Sequence, residues 1–230
     1  AGMGICPDAF GRPVADAGLM PAPEGYTAET VINNYIEAIG GRENLKAVED
    51  IKTEMTASTM GMELQVESYQ KKPHYFLSKM QMGGMTLQQQ LFDGEKALIV
   101  SQMGTQEFTE GEVFEMFKLQ SVMNIELYYD DYGFEAELLG IETIDGIPAY
   151  KVKMISPSGA ESFDYFSTAT GLKVKSLTDE SSTTFSDYRE VGGILMPYKT
   201  IQEAGQQRVE MRVDNIEINY GLEKSFFVID

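Results

Sequence analysis

The stretch MGMELQVESYQKKPHYFLSKMQMGGMTLQQQLFDG, residues 60–94, decides the fold. Met62, Leu64 and Val66 alternate with Glu63, Gln65 and Glu67, while Phe76, Met80 and Met82 share one parity. Met85, Leu87 and Leu91 share another, and the breaks fall at Gly61, Pro73, Gly83-Gly84 and Asp93-Gly94. A period of two sends successive side chains to opposite faces, so each run reads as a strand with one apolar side and each break as a turn. The stretch predicts a meander of antiparallel strands.

The same grammar continues outward. Tyr150, Val152 and Met154, then Phe163 and Tyr165, then Leu172 and Val174, then Val209, Met211 and Val213 mark further strands, separated by Asp145-Gly146, Ser158-Gly159, Thr170-Gly171 and Gly192-Gly193. Parity changes between Val213 and Ile216, which predicts a bulge near Asp214-Asn215. Upstream, Val31, Ile32, Tyr35, Ile36 and Ile39 recur at helical spacing and Gly40-Gly41 supplies a stop, so residues 28–39 read as an amphipathic helix and about 42–47 as a second. Thr109-Glu110-Gly111-Glu112 has the form of a capping box opening a helix over about 110–122. The expected fold is mainly β within the α+β class: a strongly curved antiparallel sheet forming an incomplete barrel, its concave face covered by helices. Residues 1–26 hold five of the 22 glycines and four of the eight prolines and read as an extended arm, leaving residues 27–230 as one domain.

Composition excludes several functions. With 18 basic against 36 acidic residues the 230-residue chain carries a net charge of −18, which repels phosphate backbones, so no nucleic-acid partner is expected. A single cysteine, Cys6, permits neither an internal disulfide nor a Cys-based metal site. No window approaches the ~20 apolar residues of a transmembrane helix. The only histidine, His74, would have to serve any triad alone and reads instead as a strand-edge residue. Asp130-Asp131 lacks the spacing of a calcium loop and reads as a solvated loop, and no phosphate-cradling glycine motif occurs. No cofactor, metal or catalytic residue is expected.

Methionine is what stands out. Seven of fourteen fall at positions 55, 60, 62, 80, 82, 85 and 103, with Met116 and Met123 on or beside the expected third helix. Flexible thioether side chains suit a pocket for floppy acyl chains, and equally a core that uses Met as filler. On the first reading the cavity lining is Met62, Leu64, Val66, Phe76, Met80, Met82, Met85 and Leu87 from strands, with Phe114 and Phe117 from the helix.

These segments also carry a resemblance. Tyr35 to Val48 (YIEAIGGRENLKAV), Phe92-Asp93-Gly94-Glu95-Lys96, Gly140-Ile141-Glu142 with Asp145-Gly146 and Ala149-Tyr150-Lys151-Val152 resemble a domain of Bacteroidota-type secreted proteins. So do Asp164-Tyr165-Phe166 through Lys173, Asp187-Tyr188-Arg189-Glu190 with Met196-Pro197-Tyr198, and Glu217-Ile218-Asn219. The domain is the outer-membrane lipoprotein-sorting-protein-like family, related to the carriers LolA and LolB, and the resemblance spans roughly residues 27–228. It implies an open barrel with a hydrophobic cavity, in the periplasm or at the outer membrane, that is non-enzymatic and binds a lipid or lipoprotein acyl chain. Related domains are appended to pitrilysin-like zinc peptidases, and residues 10–27 look similar to the junction before such an appendage. That implies an alternative: an accessory or assembly domain docking to a larger outer-membrane or peptidase partner through residues 1–26. Ile5 precedes Cys6 where lipoprotein processing wants a small residue, so acylation of Cys6 is not expected.

Overall fold

A computed structural model describes residues 18–228. Its helices are α1 (Ala28–Ala38), α2 (Arg42–Lys46) and α3 (Glu112–Ser121). Its strands are β1 (Asp50–Thr59), β2 (Met62–Lys71), β3 (Tyr75–Met82), β4 (Met85–Phe92), β5 (Ala97–Ser101), β6 (Gly104–Phe108), β7 (Glu135–Ile144), β8 (Ile147–Ile155), β9 (Glu161–Ser167), β10 (Lys173–Leu177), β11 (Ser182–Val191), β12 (Ile194–Ala204) and β13 (Gln207–Ile218). All thirteen form one antiparallel sheet ordered β6-β5-β4-β3-β2-β1-β13-β12-β11-β10-β9-β8-β7. The edge strands β6 and β7 follow one another in the chain yet do not pair. Residues 109–134 between them fold instead into α3 and a 3-10 turn at Ile125–Tyr128, so the barrel stays incomplete, as expected.

The two longer helices cover the concave face at different places. Thr27 caps α1, its hydroxyl accepting from Thr30 N–H at 3.2 Å. The apolar stripe Val31, Ile32, Tyr35 and Ile36 then packs with Val152, Met154, Phe166, Ile194 and Ile216. Gly40 ends the helix with φ +131, and a Cβ there would lie 2.6 Å from the Gly193 carbonyl, so only glycine allows this approach. At the other end of the sheet, Phe117 of α3 packs with Phe76, Phe92 and Ala97. The expected capping box does not form. The chain enters α3 through Gly111 (φ 88, ψ −176), which occupies the cap position without a side chain to offer, and Thr109 is left two residues too early.

Bulges decide which face each side chain sees. β1 and β13 skip Asp214, since Glu54 pairs with Asn215 and Met55 with Val213; this is the predicted bulge. A second, at Leu87, was not anticipated: Met80 pairs with Gln88 and Gln81 with Thr86. It reverses parity along β4, so Leu91 does not share the face of Met85. Leu91 packs on the convex side with Tyr69, Leu77 and Leu98, under Leu222 and Phe227 of the C-terminal segment. That segment is held by the buried Asp50, whose carboxylate accepts Gly221 and Leu222 N–H at 3.1 Å. A third bulge skips Val174 in β10, turning Lys173 inward where Leu172 and Val174 were expected to form the apolar face.

Of the expected arm, residues 1–17 lie outside the described residues. Met20 exchanges backbone hydrogen bonds with Ile141 of β7 (2.9 and 2.7 Å), and Tyr26 stacks on Tyr150 at 5.5 Å. Gly140 makes the contact at Met20 feasible, since a Cβ at its φ of +149 would meet the Met20 carbonyl at 2.7 Å. Gly140→Ala is therefore expected to detach residues 19–20 from β7 and to destabilise the domain by about 1–3 kcal/mol through the strained backbone. Amide hydrogen exchange reads this directly: protection at Met20 and Ile141 should disappear, and its persistence in the variant refutes the account.

Candidate functional site

Cross-strand register sorts the ten nominated residues. Val66 pairs with Met80, Gln70 with Phe76, and Ile51 of the α1-side core pairs with Gln70. Residues of even number on β2 and β3 therefore face the concave side, which places Met62, Leu64, Val66, Phe76, Met80 and Met82 there together. Met85 joins them because it pairs with Met82 across the Gly83-Gly84 turn, whereas Leu87 is the extra residue of the bulge. Phe117 is fully buried and Phe76 nearly so (0% and 4% exposed); their rings meet edge-on at 6.3 Å. Phe114 packs similarly on Phe92 at 5.3 Å. These aromatic residues fill the face under α3.

Between the α1 and α3 clusters the concave face is uncovered. Met55, Leu64 and Met80 are only half-buried there, flanked by Thr53, Ser68 and Ser78, while Val66 and Ala57 form a closed floor. Met55 pairs with Val66 and with Val213, and Ala57 with Leu64 and Met211, so the apolar surface continues from β3 across to β13. The result is an open trough. Three clefts elsewhere contain none of the ten nominated residues. One of about 340 Å³ lies between α1 and the β9–β10 turn. One of about 290 Å³ lies beside Glu126 and Arg42, and one of about 390 Å³ beside Met60, Arg208 and Arg212.

Sequence reading missed a buried charged cluster at the α1 end of the face. Lys173 Nζ lies 2.9 Å from Glu126 Oε1 and 3.1 Å from Asp164 Oδ2, and 5.5 Å from the ring centres of both Tyr35 and Phe166. Its own carbonyl accepts from Tyr188 O–H at 2.8 Å. Burial opposes the charge of Glu126, but the attraction and hydrogen bond of Lys173 outweigh it and hold the carboxyl below its usual range. Burial likewise opposes the Lys173 charge, and Asp164, Tyr129 and Glu126 reverse that, holding the ammonium well above its usual range. Glu126 is thus kept ionised as one ammonium's partner, not poised to donate a proton. Burial pushes the Tyr188 hydroxyl up to about 12. Asp164 gave no signal in sequence, since it alternates with Phe163 and Tyr165 and was expected on the polar face; pairing with Val152 turns it inward instead, beside Phe166.

His74 sits in the turn that carries the cis Lys72–Pro73 bond, with Nε2 3.5 Å from Tyr132 O–H. Burial, helped by Lys118, lowers its pKa and keeps the ring neutral. Asp130 and Asp131 lie exposed in a turn. Among the described residues no group of three His, Cys, Asp or Glu stands together to hold a metal, and no helix is long and apolar enough to cross a membrane.

An open antiparallel barrel crossed by helices on its concave side defines the class, and comparison with solved structures agrees. A DUF1329 family protein from Desulfovibrio piger is 13% identical over 87% of this chain and 97% of its own, with a TM-score of 0.61. A LolA superfamily protein from Nitrosomonas europaea is 10% identical over 89% and 99%, with a TM-score of 0.61. An outer membrane lipoprotein-sorting protein domain assignment belongs to a third, from Vibrio parahaemolyticus, 12% identical over 87% and 97% with a TM-score of 0.60. The chain has a LolA-like fold. No family model and no curated protein matches the sequence.

Proposed function

We propose that this chain is a non-enzymatic binding protein that takes an apolar ligand, a lipid or the acyl chain of a lipoprotein, along the concave trough between α1 and α3. The observation that carries the reading is the uncovered run of half-buried Met55, Leu64 and Met80 over the Val66–Ala57 floor. Such a surface gains about 0.8 kcal/mol for each CH₂ a ligand buries on it. The LolA-like fold supports an exported protein of the periplasm or outer membrane. The docking alternative has less behind it, because residues 18–26 are already engaged by their own domain through Met20 and Tyr26.

Native mass spectrometry with solvent extraction of protein from its own source tests the proposal; a stoichiometric acyl species is expected. Met80→Lys should abolish binding of a fluorescent fatty acid while leaving the circular dichroism unchanged, because a charge at this half-buried position must be desolvated by any bound chain. A clean apo mass with no fatty-acid binding by the wild-type protein would sink the reading.

A further inference from the structure

The rim of the sheet carries an unusual side-chain set. The β1–β2, β3–β4 and β5–β6 turns lie next to one another at one end of the sheet. They present Met60 (85% exposed), Met62 (47%), Met82 (43%), Met85 (60%) and Met103 (98%). All five large apolar side chains exposed at these tips are methionines. If the rim served only to bury apolar surface, Leu, Ile or Phe would do so with stiffer side chains and without oxidisable sulfur. Methionine adds to those residues both flexibility and a soft thioether donor.

Register brings three of these side chains to neighbouring positions on one face. Met82 and Met85 are direct cross-strand partners, so their Cβ atoms stand about 4.5–5.5 Å apart on the same face. Continuing the pairing of Gln65 with Gln81 puts Met82 opposite Leu64, which makes Met62 its diagonal neighbour on that face at about 7–8 Å. Three flexible side chains anchored so closely can converge on a single ion. Met85 is already engaged through its sulfur, which accepts from the Gln102 amide of the next turn at 3.6 Å. Met60 sits at φ +49, a left-handed position where a turn normally places Gly, Asn or Asp, so a methionine is held there against backbone preference.

We propose that Met62, Met82 and Met85 form a thioether site for a soft monovalent cation of the Cu(I) class, with Met60 and Met103 at its margins. Neutral sulfur ligands without an anionic partner select Cu(I) or Ag(I) over Zn²⁺, Ca²⁺ or Mg²⁺. The net charge of −18 draws cations toward the surface from every side and disfavours an anionic membrane as the occupant of this rim. The site lies on the same concave face, at its rim beyond Leu64 and Met80, and its chemistry needs sulfur where the trough needs only apolar surface.

Ag(I), a redox-inert probe for Cu(I), tests it on the full chain with Cys6→Ser to remove the competing thiol. With ¹³C-methyl-labelled methionine, one equivalent of Ag(I) should shift the Met62, Met82 and Met85 methyl signals and leave Met55 and Met154 in place. Met82→Leu with Met85→Leu preserves apolar volume, and should abolish Ag(I) binding while leaving the circular dichroism and the urea midpoint unchanged. The proposal is overturned if Ag(I) moves no methyl, if all exposed methionines shift alike, or if binding survives the double substitution. Perturbation of these methyls by phosphatidylcholine vesicles but not by Ag(I) would make the rim a lipid contact and overturn it equally.

Discussion

Replacing Lys173 by Met is expected to lower the stability of the domain by about 3–5 kcal/mol, because the change leaves Glu126 and Asp164 buried without their shared cation. The two carboxylates lie 2.9 and 3.1 Å from that ammonium, and none of the three side chains is more than 13% exposed. Urea unfolding measures the effect as a lower midpoint at unchanged slope. The pH dependence gives a sharper test. In the native protein Glu126 titrates below its unfolded value, so its contribution is complete above about pH 4.5 and is lost as pH falls through the folded pKa. Lys173 titrates above its unfolded value, so its contribution is complete below about pH 10 and is lost as pH rises through the folded pKa. Between these limits the cluster's contribution is flat. In Lys173→Met the sign at Glu126 inverts: buried without its cation, it binds a proton more readily folded than unfolded, and the deficit should shrink as pH falls toward 4. A triple change of Lys173→Met, Glu126→Met and Asp164→Leu should restore stability, since apolar replacement of a whole buried ion cluster is commonly neutral or favourable. A deficit independent of pH, or a triple variant no better than the single one, would mean that the cluster is not the source.

Phe117→Ala should cost a comparable about 3–5 kcal/mol by emptying the space between α3 and the sheet. The side chain is fully buried, and its neighbours Phe76, Phe92 and Ala97 belong to three different strands whose backbones cannot collapse onto an alanine. Phe114, half-buried and edge-on to Phe92, becomes the main remaining apolar contact. The consequence reaches function, because α3 bounds one end of the trough. A loosened α3 should raise hydrogen exchange throughout residues 112–121 as well as lowering the urea midpoint. If only the midpoint moves while those amides stay protected, the helix is held by something other than this ring.

Alternation made β2 and β3 readable because nothing interrupts them: every even position from Met62 to Val66 and from Phe76 to Met82 falls on one face. β4 was not, because a single extra residue at Leu87 sends Leu91 to the opposite side, and Gln88 to Gln90 carry no apolar contrast that would reveal the slip. The bulge at Asp214 could be seen in advance because apolar residues stand on both sides of it, with Val213 odd and Ile216 even. Lys173 was hidden for a different reason. A lysine in a strand is read as outward-facing, and only the distant Glu126 and Asp164 make its inward position tolerable, a pairing that no local pattern encodes. Met62, Leu64, Val66, Met80 and Met82 were placed together by sequence; that the trough lies open between two packed ends depends on where the helices land.

Every strand pairing joins neighbours in the chain except one, between the first strand and the last. Each half, β1 to β6 and β7 to β13, can zip up hairpin by hairpin from contacts close in sequence, which is fast. The β1–β13 seam pays the loop-closure entropy of nearly the whole chain and has to wait until the final strand has been synthesised. During that interval the middle of the future sheet is two unpaired strand edges, one of them leading with Ile51, Met55 and Ala57. The newborn protein is therefore most exposed to mispairing with another copy at the place that becomes its floor, and the charged side chains Lys52, Glu54, Glu210, Arg212, Asp214 and Glu217 along those same edges are of the kind that blunt such pairing.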